Sequence, residues 1–212
     1  MQVAYLLYDR FTALDVTGPH EVLNSVPGVE SVFVGEVAGP YRNESDTLSL
    51  VADRSLEEVT SPDVLVVPGG FGTRALLDRK PLLVWIRAVD QTTTWTTSVC
   101  TGSLLLAAAG LLDGRPASTH WLAREALASL GAEPVTERVV FDGKYVTGAG
   151  VSAGIDMALT LVGEIFGPEV AQSVQLGIEY DPQPPFDAGA PEKAPREIVE
   201  VVTAVFSANE SA

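Results

Sequence analysis

The sequence predicts an α/β protein with a mostly parallel sheet flanked by helices, and three observations support that prediction. Short β-branched runs alternate with segments of helical periodicity, which is the pattern of parallel strands joined by helices. Two of these runs end in glycine-containing turns, at residues 68–72 and 100–102. The chain has 212 residues, 46% of them hydrophobic, so it is long enough to bury one full core.

The elements of the first part of the chain can be read in order. The apolar run at residues 3–8 predicts a buried first strand. The sequence GPHE at residues 18–21 predicts a helix start, because proline suits the first helical position and acid suits the first turn. Residues 32–34 predict a second strand, and the alternating residues 48–51 predict a hairpin or an edge strand. Residues 64–67 are continuously apolar and precede a glycine turn, which predicts a buried parallel strand.

The middle of the chain continues the alternation. Residues 74–78 and 81–90 predict two short helices, followed by a β-branched strand that ends at Cys100. Residues 120–130 predict a further helix. Residues 139–147 predict a hairpin, because an Asp-Gly pair stands between two apolar runs.

The last part of the chain predicts two amphipathic helices. Apolar residues recur at helical spacing over residues 155–166 and again over residues 198–206. Between them, the prolines of residues 181–186 predict an extended segment, because each proline restrains the residue before it. Since the sequence shows no repeat, low-complexity tract or linker, we expect a single domain over residues 1–212.

Composition and charge argue against several classes of protein. A net charge of −15 opposes binding to nucleic acid and to anionic membranes. A single cysteine excludes an intrachain disulfide framework and a cysteine-based zinc site, and it suits a reducing compartment. The N-terminal run lacks a basic start and soon reaches Asp9, so it predicts a strand rather than a signal peptide. We therefore expect a cytoplasmic protein without nucleic-acid or membrane partners.

Cys100 is the principal candidate for chemistry. It stands where a strand ending at Val99 gives way to a helix beginning near Gly102, which is the layout of a nucleophile elbow. Ligands of doubly wound sheets bind beyond the carboxyl ends of the strands, where this residue would lie. The positive end of a helix dipole also favours a thiolate. The alternative is that the cysteine is only a small buried hydrophobe.

Further candidates lie near the same predicted sheet edge. The turn of Gly69, Gly70 and Phe71 is predicted to supply free amides for an anion hole, or else to be only a tight connection. Asp15 is predicted to lie in the loop after the first strand, where apolar neighbours suit a general acid or base; the alternative is a capping residue. The hydroxyl of Thr101 is predicted to contact substrate or water, or to begin the helix.

The two histidines leave two interpretations open. Either His20 or His120 is a possible partner for a cysteine in a catalytic dyad, although a histidine beside aromatic residues is more often a packing residue. The two are far apart in sequence and have no acidic cluster beside them. We therefore expect no metal centre, and the predicted thiol chemistry requires no other cofactor.

The motif SVCTGS at residues 98–103, with PGG upstream, resembles the PfpI-type superfamily, which includes the Parkinsonism-associated deglycase. The resemblance is closest to the bacterial isocyanide hydratases and runs along nearly the whole chain. The other matching segments are residues 14–23, 119–121, 137–140, 154–159 and 175–185.

The resemblance implies a class I glutamine-amidotransferase-like fold, with a flavodoxin-like, doubly wound sheet. It implies that Cys100 is the nucleophile, that Asp15 is the acid or base, and that Thr101 supplies the neighbouring hydroxyl. It further implies a homodimer with each active site near the subunit interface, and a helix over residues 151–166 that packs close to the cysteine.

Two departures from other branches of the superfamily refine the implied activity. Its peptidases and amidases have histidine directly after the cysteine, where this chain has Thr101, and its deglycases usually have glutamate where this chain has Asp15. The expected enzyme is therefore a hydro-lyase, an isocyanide hydratase that converts organic isocyanides and water to N-substituted formamides through a thioimidate on Cys100. The alternatives are a glyoxalase-like or deglycase-like enzyme acting on α-oxoaldehydes, and a cysteine-based redox or ligand sensor.

Overall fold

The structure is a computed structural model that describes residues 1–210. The chain divides into a first unit, Met1–Ile178, and a second unit, Glu179–Ala212. One domain over residues 1–212 stays a prediction.

The described part of the chain contains strands, α-helices and two short 3₁₀ turns. The strands are β1 (Gln2–Leu6), β2 (Glu30–Gly35), β3 (Gly39–Arg42), β4 (Ser49–Ala52), β5 (Arg54–Ser55), β6 (Val64–Val67), β7 (Trp95–Val99), β8 (Pro116–Ala117), β9 (Glu133–Pro134), β10 (Val139–Asp142) and β11 (Tyr145–Gly148). The helices are α1 (Ala13–Asn24), α2 (Thr73–Leu76), α3 (Lys80–Asp90), α4 (Gly102–Ala108), α5 (Arg124–Ser129), α6 (Ala153–Phe166), α7 (Pro168–Gly177) and α8 (Arg196–Glu210), and the 3₁₀ turns are Leu56–Glu58 and Trp121–Ala123.

The first unit is built around a seven-stranded sheet with the order β10-β11-β7-β6-β1-β2-β5. Strands β10 and β11 pair antiparallel, and the other neighbouring pairs are parallel. All four residues of β6 are buried, as expected for a parallel strand covered on both faces. The fold class predicted from the sequence is therefore confirmed. Two small pairs, β3 with β4 and β8 with β9, lie outside this sheet.

The register of the central strands brings the two predicted turns together. Val67 at the end of β6 is paired with Ser98 near the end of β7. Because parallel strands present their carboxyl ends at the same edge, the glycine turn after β6 and the cysteine turn after β7 are neighbours. This shared edge was predicted from the likeness of the two strands and is confirmed.

Helix α1 begins earlier than predicted, and this moves Asp15 out of the predicted loop. The helix starts at Ala13 rather than near Gly18, so Asp15 lies in its first turn and Pro19 lies inside it. An internal proline removes one helical hydrogen bond. Both Gly18 and Pro19 are buried and face α6, because a Cβ at Gly154 would lie 3.1 Å from the Pro19 ring. We infer that this close packing offsets the missing bond.

Other differences concern the boundaries of elements. The helix predicted over residues 120–130 is a 3₁₀ turn followed by α5, and the predicted segment at residues 48–51 is one strand of the β3–β4 hairpin. Helix α7 was missed, although Pro168 at its first position after Gly167 is a typical start signal. Residues 181–186 contain neither helix nor strand, as predicted.

The helices of residues 1–210 include none with the length and apolar character needed to cross a bilayer. Helix α8 of the second unit has an apolar stripe in which Ile198, Val201 and Val205 are each at least half exposed.

Gly102 is expected to be essential for the close packing of α4 on β6. A Cβ at Gly102 would overlap the carbonyl oxygen of Val67, whereas a Cβ at Gly177 meets no atom within 4 Å. We expect Gly102→Ala to lower the free energy of unfolding by about 2 kcal/mol or more, because buried backbone must move. Urea denaturation measures the loss, and Gly177→Ala is the matched control. Equal stability of the two variants would contradict this account of the packing.

Candidate active site

Cys100 lies at a strained turn between β7 and α4. Its φ is 57°, a left-handed value that costs energy for a residue other than glycine. Hydrogen bonds hold it there on both sides. Its N–H donates to the carbonyls of Gly148 (3.1 Å) and Ala149 (2.9 Å), and its carbonyl accepts from the hydroxyls of Thr119 (3.0 Å) and Ser103 (3.2 Å). The strand–turn–helix layout expected of an elbow is therefore present.

The glycine turn after β6 packs directly against the elbow. A Cβ at Gly69 would lie 2.5 Å from the Thr101 nitrogen and 2.8 Å from the Cys100 Cβ. Both distances are far below ordinary contact, so only glycine allows this approach. The N–H of Gly69 donates to Asp15 Oδ2 over 2.8 Å. The turn thus joins the elbow to the start of α1.

The carboxyl group of Asp15 is completely buried and lies close enough to the Cys100 side chain for each to affect the ionisation of the other. Its second oxygen, Oδ1, has no hydrogen-bond partner within the described residues. Burial raises the pKa of Asp15 to about 8, and the charge of Glu44 adds to that effect. The hydrogen bonds from Gly69 and Cys100 act in the opposite direction. A carboxyl with such a pKa can both give and take a proton near neutral pH.

The thiol of Cys100 also holds its proton tightly. Its side chain is 5% exposed, and burial is the main cause of its raised pKa, followed by the charge of Asp15. The backbone N–H groups of Val151 and Thr101 face the sulfur and favour the thiolate, but burial outweighs them. The start of α4 does favour the thiolate through the Thr101 N–H, as expected from its position, but burial has the larger effect on the pKa of Cys100. Because the charge of Asp15 also raises the pKa of Cys100, the pair carries at most one negative charge near neutral pH.

The prediction that Gly69, Gly70 and Phe71 offer free amides is wrong. Their N–H groups donate to Asp15 Oδ2, to Thr101 Oγ1 (2.9 Å) and to the Glu44 carboxylate, respectively. These amides hold protein side chains in place and are not directed at a bound anion. The amides that do face the sulfur follow the cysteine itself and precede α6.

Thr101 is fixed by the same glycine turn. Its hydroxyl accepts from the Gly70 N–H and from the Thr73 hydroxyl (3.3 Å) and donates to the Gly70 carbonyl (3.3 Å). It makes no capping bond to α4. The direct contact of this hydroxyl with substrate stays a prediction, and its present partners give it a positioning role.

The two histidines have different surroundings. His20 packs with Tyr5 and Phe33, and burial lowers its pKa, which keeps it neutral. His120 accepts a bond from Leu122 N–H (3.4 Å), and its ring lies 2.9 Å from the position of a Cβ at Gly150. Thus His120 contacts the loop before α6, whereas His20 on α1 packs against aromatic rings of β1 and β2.

Three groups near the pair were missed from the sequence. Tyr8 donates to the Pro68 carbonyl (2.7 Å) and is exposed to the charges of Asp15, Cys100 and Glu44. Glu44 lies in the turn of the β3–β4 hairpin. Val151, whose own φ is 27°, lies in the loop before α6 and directs its N–H at the sulfur of Cys100. No local pattern marks these residues, because distant segments bring them to the site. Within residues 1–210, no three acids, histidines or cysteines are grouped so as to hold a metal ion.

The seven-stranded sheet and the cysteine turn at the carboxyl end of β7 define an α/β protein of the glutamine-amidotransferase-like class. Within that class, the chain belongs to the DJ-1/PfpI family, whose sequence model matches residues 1–164. The resemblance to the PfpI superfamily predicted from the sequence motifs is confirmed.

Individual relatives extend this similarity to nearly the full length. The isonitrile hydratase of Pseudomonas putida is 45% identical over 200 residues, which cover 94% of this chain and 87% of the relative. The crystal structure of a ThiJ/PfpI family protein from Pseudomonas syringae superposes with a TM-score of 0.94 at 36% identity, covering 99% of this chain and 87% of the other. The HTH-type transcriptional regulator CdhR of Pseudomonas aeruginosa is 37% identical over 61% of this chain, which spans only 39% of that regulator.

The raised pKa of Asp15 predicts how stability depends on pH. The folded state retains this proton up to about pH 8, whereas an unfolded aspartate releases it near its ordinary pKa of 3.8. The folded state therefore binds more protons between these values, and stability falls as pH rises through them. We expect a slope of up to about 1.4 kcal/mol per pH unit from this group.

Asp15→Asn should remove that slope. Urea denaturation at pH values from 5 to 8 measures it in the wild type, in Asp15→Asn and in the exposed control Asp78→Asn. If Asp15→Asn and the control have the same pH dependence, Asp15 does not hold its proton in the folded state.

Proposed function

We propose that the protein hydrates organic isocyanides to N-substituted formamides, with Cys100 as nucleophile and Asp15 as acid and base. The main support for the proposal is the juxtaposition of the buried Asp15 carboxyl and the Cys100 side chain, since Gly69 contacts both residues. The similarity to the isonitrile hydratase of Pseudomonas putida supports the reaction, because 94% of this chain is covered. Isonitrile and isocyanide are names for the same functional group.

The first step adds the thiol across the terminal isocyanide carbon. Cys100 Sγ forms a bond to that carbon as the Asp15 carboxyl delivers a proton to the same carbon and takes up the thiol proton. The product is a thioimidate, in which a C=N bond replaces the isocyanide triple bond. The number of protons on the two side chains and substrate is unchanged, so no charge has to enter or leave the buried site.

The second step consumes water. The Asp15 carboxyl protonates the imine nitrogen, and the carboxylate then takes a proton from the water that attacks the thioimidate carbon. Collapse of the tetrahedral adduct breaks the C–S bond, and the thiolate receives the remaining hydroxyl proton through Asp15. The N–H groups of Val151 and Thr101 face the sulfur, and they stabilise negative charge there as it leaves. The products are the formamide and the original thiol.

The glycine turn serves this chemistry by positioning. The Gly69 N–H donates to Asp15, and the Gly70 N–H donates to the Thr101 hydroxyl. The turn therefore holds Asp15 close to the cysteine turn. Gly69, Gly70 and Phe71 are therefore proposed as lining and positioning residues. Their amides are not proposed as an anion hole.

We further propose that the protein is a homodimer in the cytoplasm. Large apolar side chains are exposed in both units, most of all Leu176 (80%) and Phe186 (79%). Exposed large apolar side chains favour association with another protein surface. Sedimentation equilibrium at micromolar concentration tests the dimer, and a monomeric mass would contradict it.

Variants at the pair should abolish turnover without unfolding the protein. We expect Cys100→Ala to have no detectable formamide production from an alkyl or aryl isocyanide, because no nucleophile remains. Asp15→Asn should lose about 10²-fold or more in kcat, since an amide cannot carry the proton. Asp78→Asn is the matched control and should be as active as the wild type. Substantial turnover by Cys100→Ala would exclude the proposed mechanism.

The same assay separates the proposal from its alternatives. Methylglyoxal tests the glyoxalase-like activity, which would appear as lactate formed by the wild type and lost in Cys100→Ala. We expect rapid isocyanide turnover and little lactate. The reverse result would assign the thiol to α-oxoaldehydes, and no turnover of either compound would favour a sensor.

A further inference from the structure

The hairpin of β3 and β4 places a second carboxyl group beside the Asp15–Cys100 pair. Glu44 stands in the turn of that hairpin, and its N–H donates to the Phe11 carbonyl over 3.0 Å. Arg10 N–H donates to the Arg42 carbonyl over 2.8 Å, which fixes the hairpin a second time to the segment between β1 and α1. The backbone therefore holds Glu44 at the entrance to α1.

The Glu44 carboxylate joins the two segments that hold Asp15. Its Oε2 accepts from the Thr12 hydroxyl over 3.0 Å, and the carboxylate also accepts from the Phe71 N–H. Thr12 immediately precedes α1, which carries Asp15, and its N–H donates to the Gly69 carbonyl over 2.8 Å. Phe71 belongs to the turn whose Gly69 N–H orients Asp15. The Glu44 side chain thus links the segment that carries Asp15 to the turn whose Gly69 N–H orients Asp15.

The charge of Glu44 also affects the ionisation of Asp15 and Cys100. It raises the pKa of Asp15, Cys100 and Tyr8, while Arg10 is the cation that opposes it at Glu44. The Arg10 guanidinium also lies 5.8 Å from the centre of the Phe71 ring. The charged and titratable groups around the pair are therefore Tyr8, Arg10 and Glu44, together with Asp15 and Cys100 themselves. Glu44 acts on Cys100 through its charge.

We propose that Glu44 is a positioning residue of the active site, which fastens the hairpin to Thr12 and Phe71 and places a negative charge beside the Asp15–Cys100 pair. Its consequence for catalysis rests on the proposed function, but its effect on the pair is a property of the free protein. That charge adds to the effect of burial and favours the protonated pair from which the addition step begins. The proposal is therefore testable without turnover.

The first test measures the proton affinity of the pair. Cys100 is the only cysteine, so its alkylation by iodoacetamide can be followed by intact mass as a function of pH. Glu44→Gln removes the charge, and we expect the midpoint of the rate profile to move to lower pH by roughly half a unit or more. The matched control is Glu30→Gln, an exposed glutamate at the start of β2. Its profile should coincide with that of the wild type.

The second test measures the positioning directly. Glu44→Ala removes the acceptor of the Phe71 N–H, so hydrogen exchange in the peptide covering residues 69–73 should accelerate at least several-fold. Glu30→Ala should leave exchange there unchanged. A merely structural effect on the whole fold would accelerate exchange throughout the sheet, so β6 and β7 are the internal reference.

The outcomes separate the two proposals. If Glu44→Gln alkylates with the wild-type profile, or if Glu44→Ala exchanges as the wild type does, the role of Glu44 is overturned whatever the activity. If both effects appear and the wild type does not hydrate isocyanides, Glu44 keeps its role and the proposed function fails. If both appear and hydration occurs, the kcat profile of Glu44→Gln should shift to lower pH with the alkylation profile.

Discussion

The contact between the Cys100 thiol and the buried Asp15 carboxyl is the interaction on which the rest of the site depends. The two residues come from elements far apart in sequence, at the start of α1 and after β7. Their contact requires the glycine turn after β6 to lie against both, and Gly69 makes that possible, because a Cβ there would overlap the elbow. The arrangement follows from the parallel pairing of β1, β6 and β7, which brings all three connections to one edge. In that sense the active site is a consequence of strand order.

Burial gives this contact its chemical character. In water, an aspartate and a cysteine have pKa values several units apart, and they would not share a proton near neutral pH. Removal of solvent penalises both charged forms, and the charge of Asp15 further penalises the thiolate. Backbone N–H groups compensate in part, from Gly69 at the carboxyl and from Val151 and Thr101 at the sulfur. The balance leaves a pair that can gain or lose one proton near neutral pH.

The sequence allowed the sheet and the strand–turn–helix layout at Cys100 to be predicted, because each depends on local pattern. A β-branched run before a glycine turn predicts a buried strand wherever it occurs, and Cys100 stands after one such run. The start of α1 was missed because the packing of Pro19 against α6 overrides the usual preference of proline for a first turn. The amides of the glycine turn were assigned wrongly for a similar reason. Their acceptors, Asp15, Thr101 and Glu44, belong to three segments that are far apart in sequence. No local sequence pattern indicates that these segments lie together in the fold.

The reaction proposed for Cys100 and Asp15 suits a buried site, in which charged groups are unfavourable. Addition of a thiol to an isocyanide places sulfur and hydrogen on one carbon, so the proton that leaves Cys100 need travel only through Asp15 to its destination. A reaction that produced a free oxyanion would need unoccupied hydrogen-bond donors close to that oxygen. The amides of the glycine turn after β6 already donate to Asp15, Thr101 and Glu44. Charge developed on sulfur instead meets the N–H groups of Val151 and Thr101, which already face that atom. The N–H donors of this site therefore suit a sulfur leaving group, and the Asp15 carboxyl suits proton transfer. The proposed hydration through a thioimidate requires both functions.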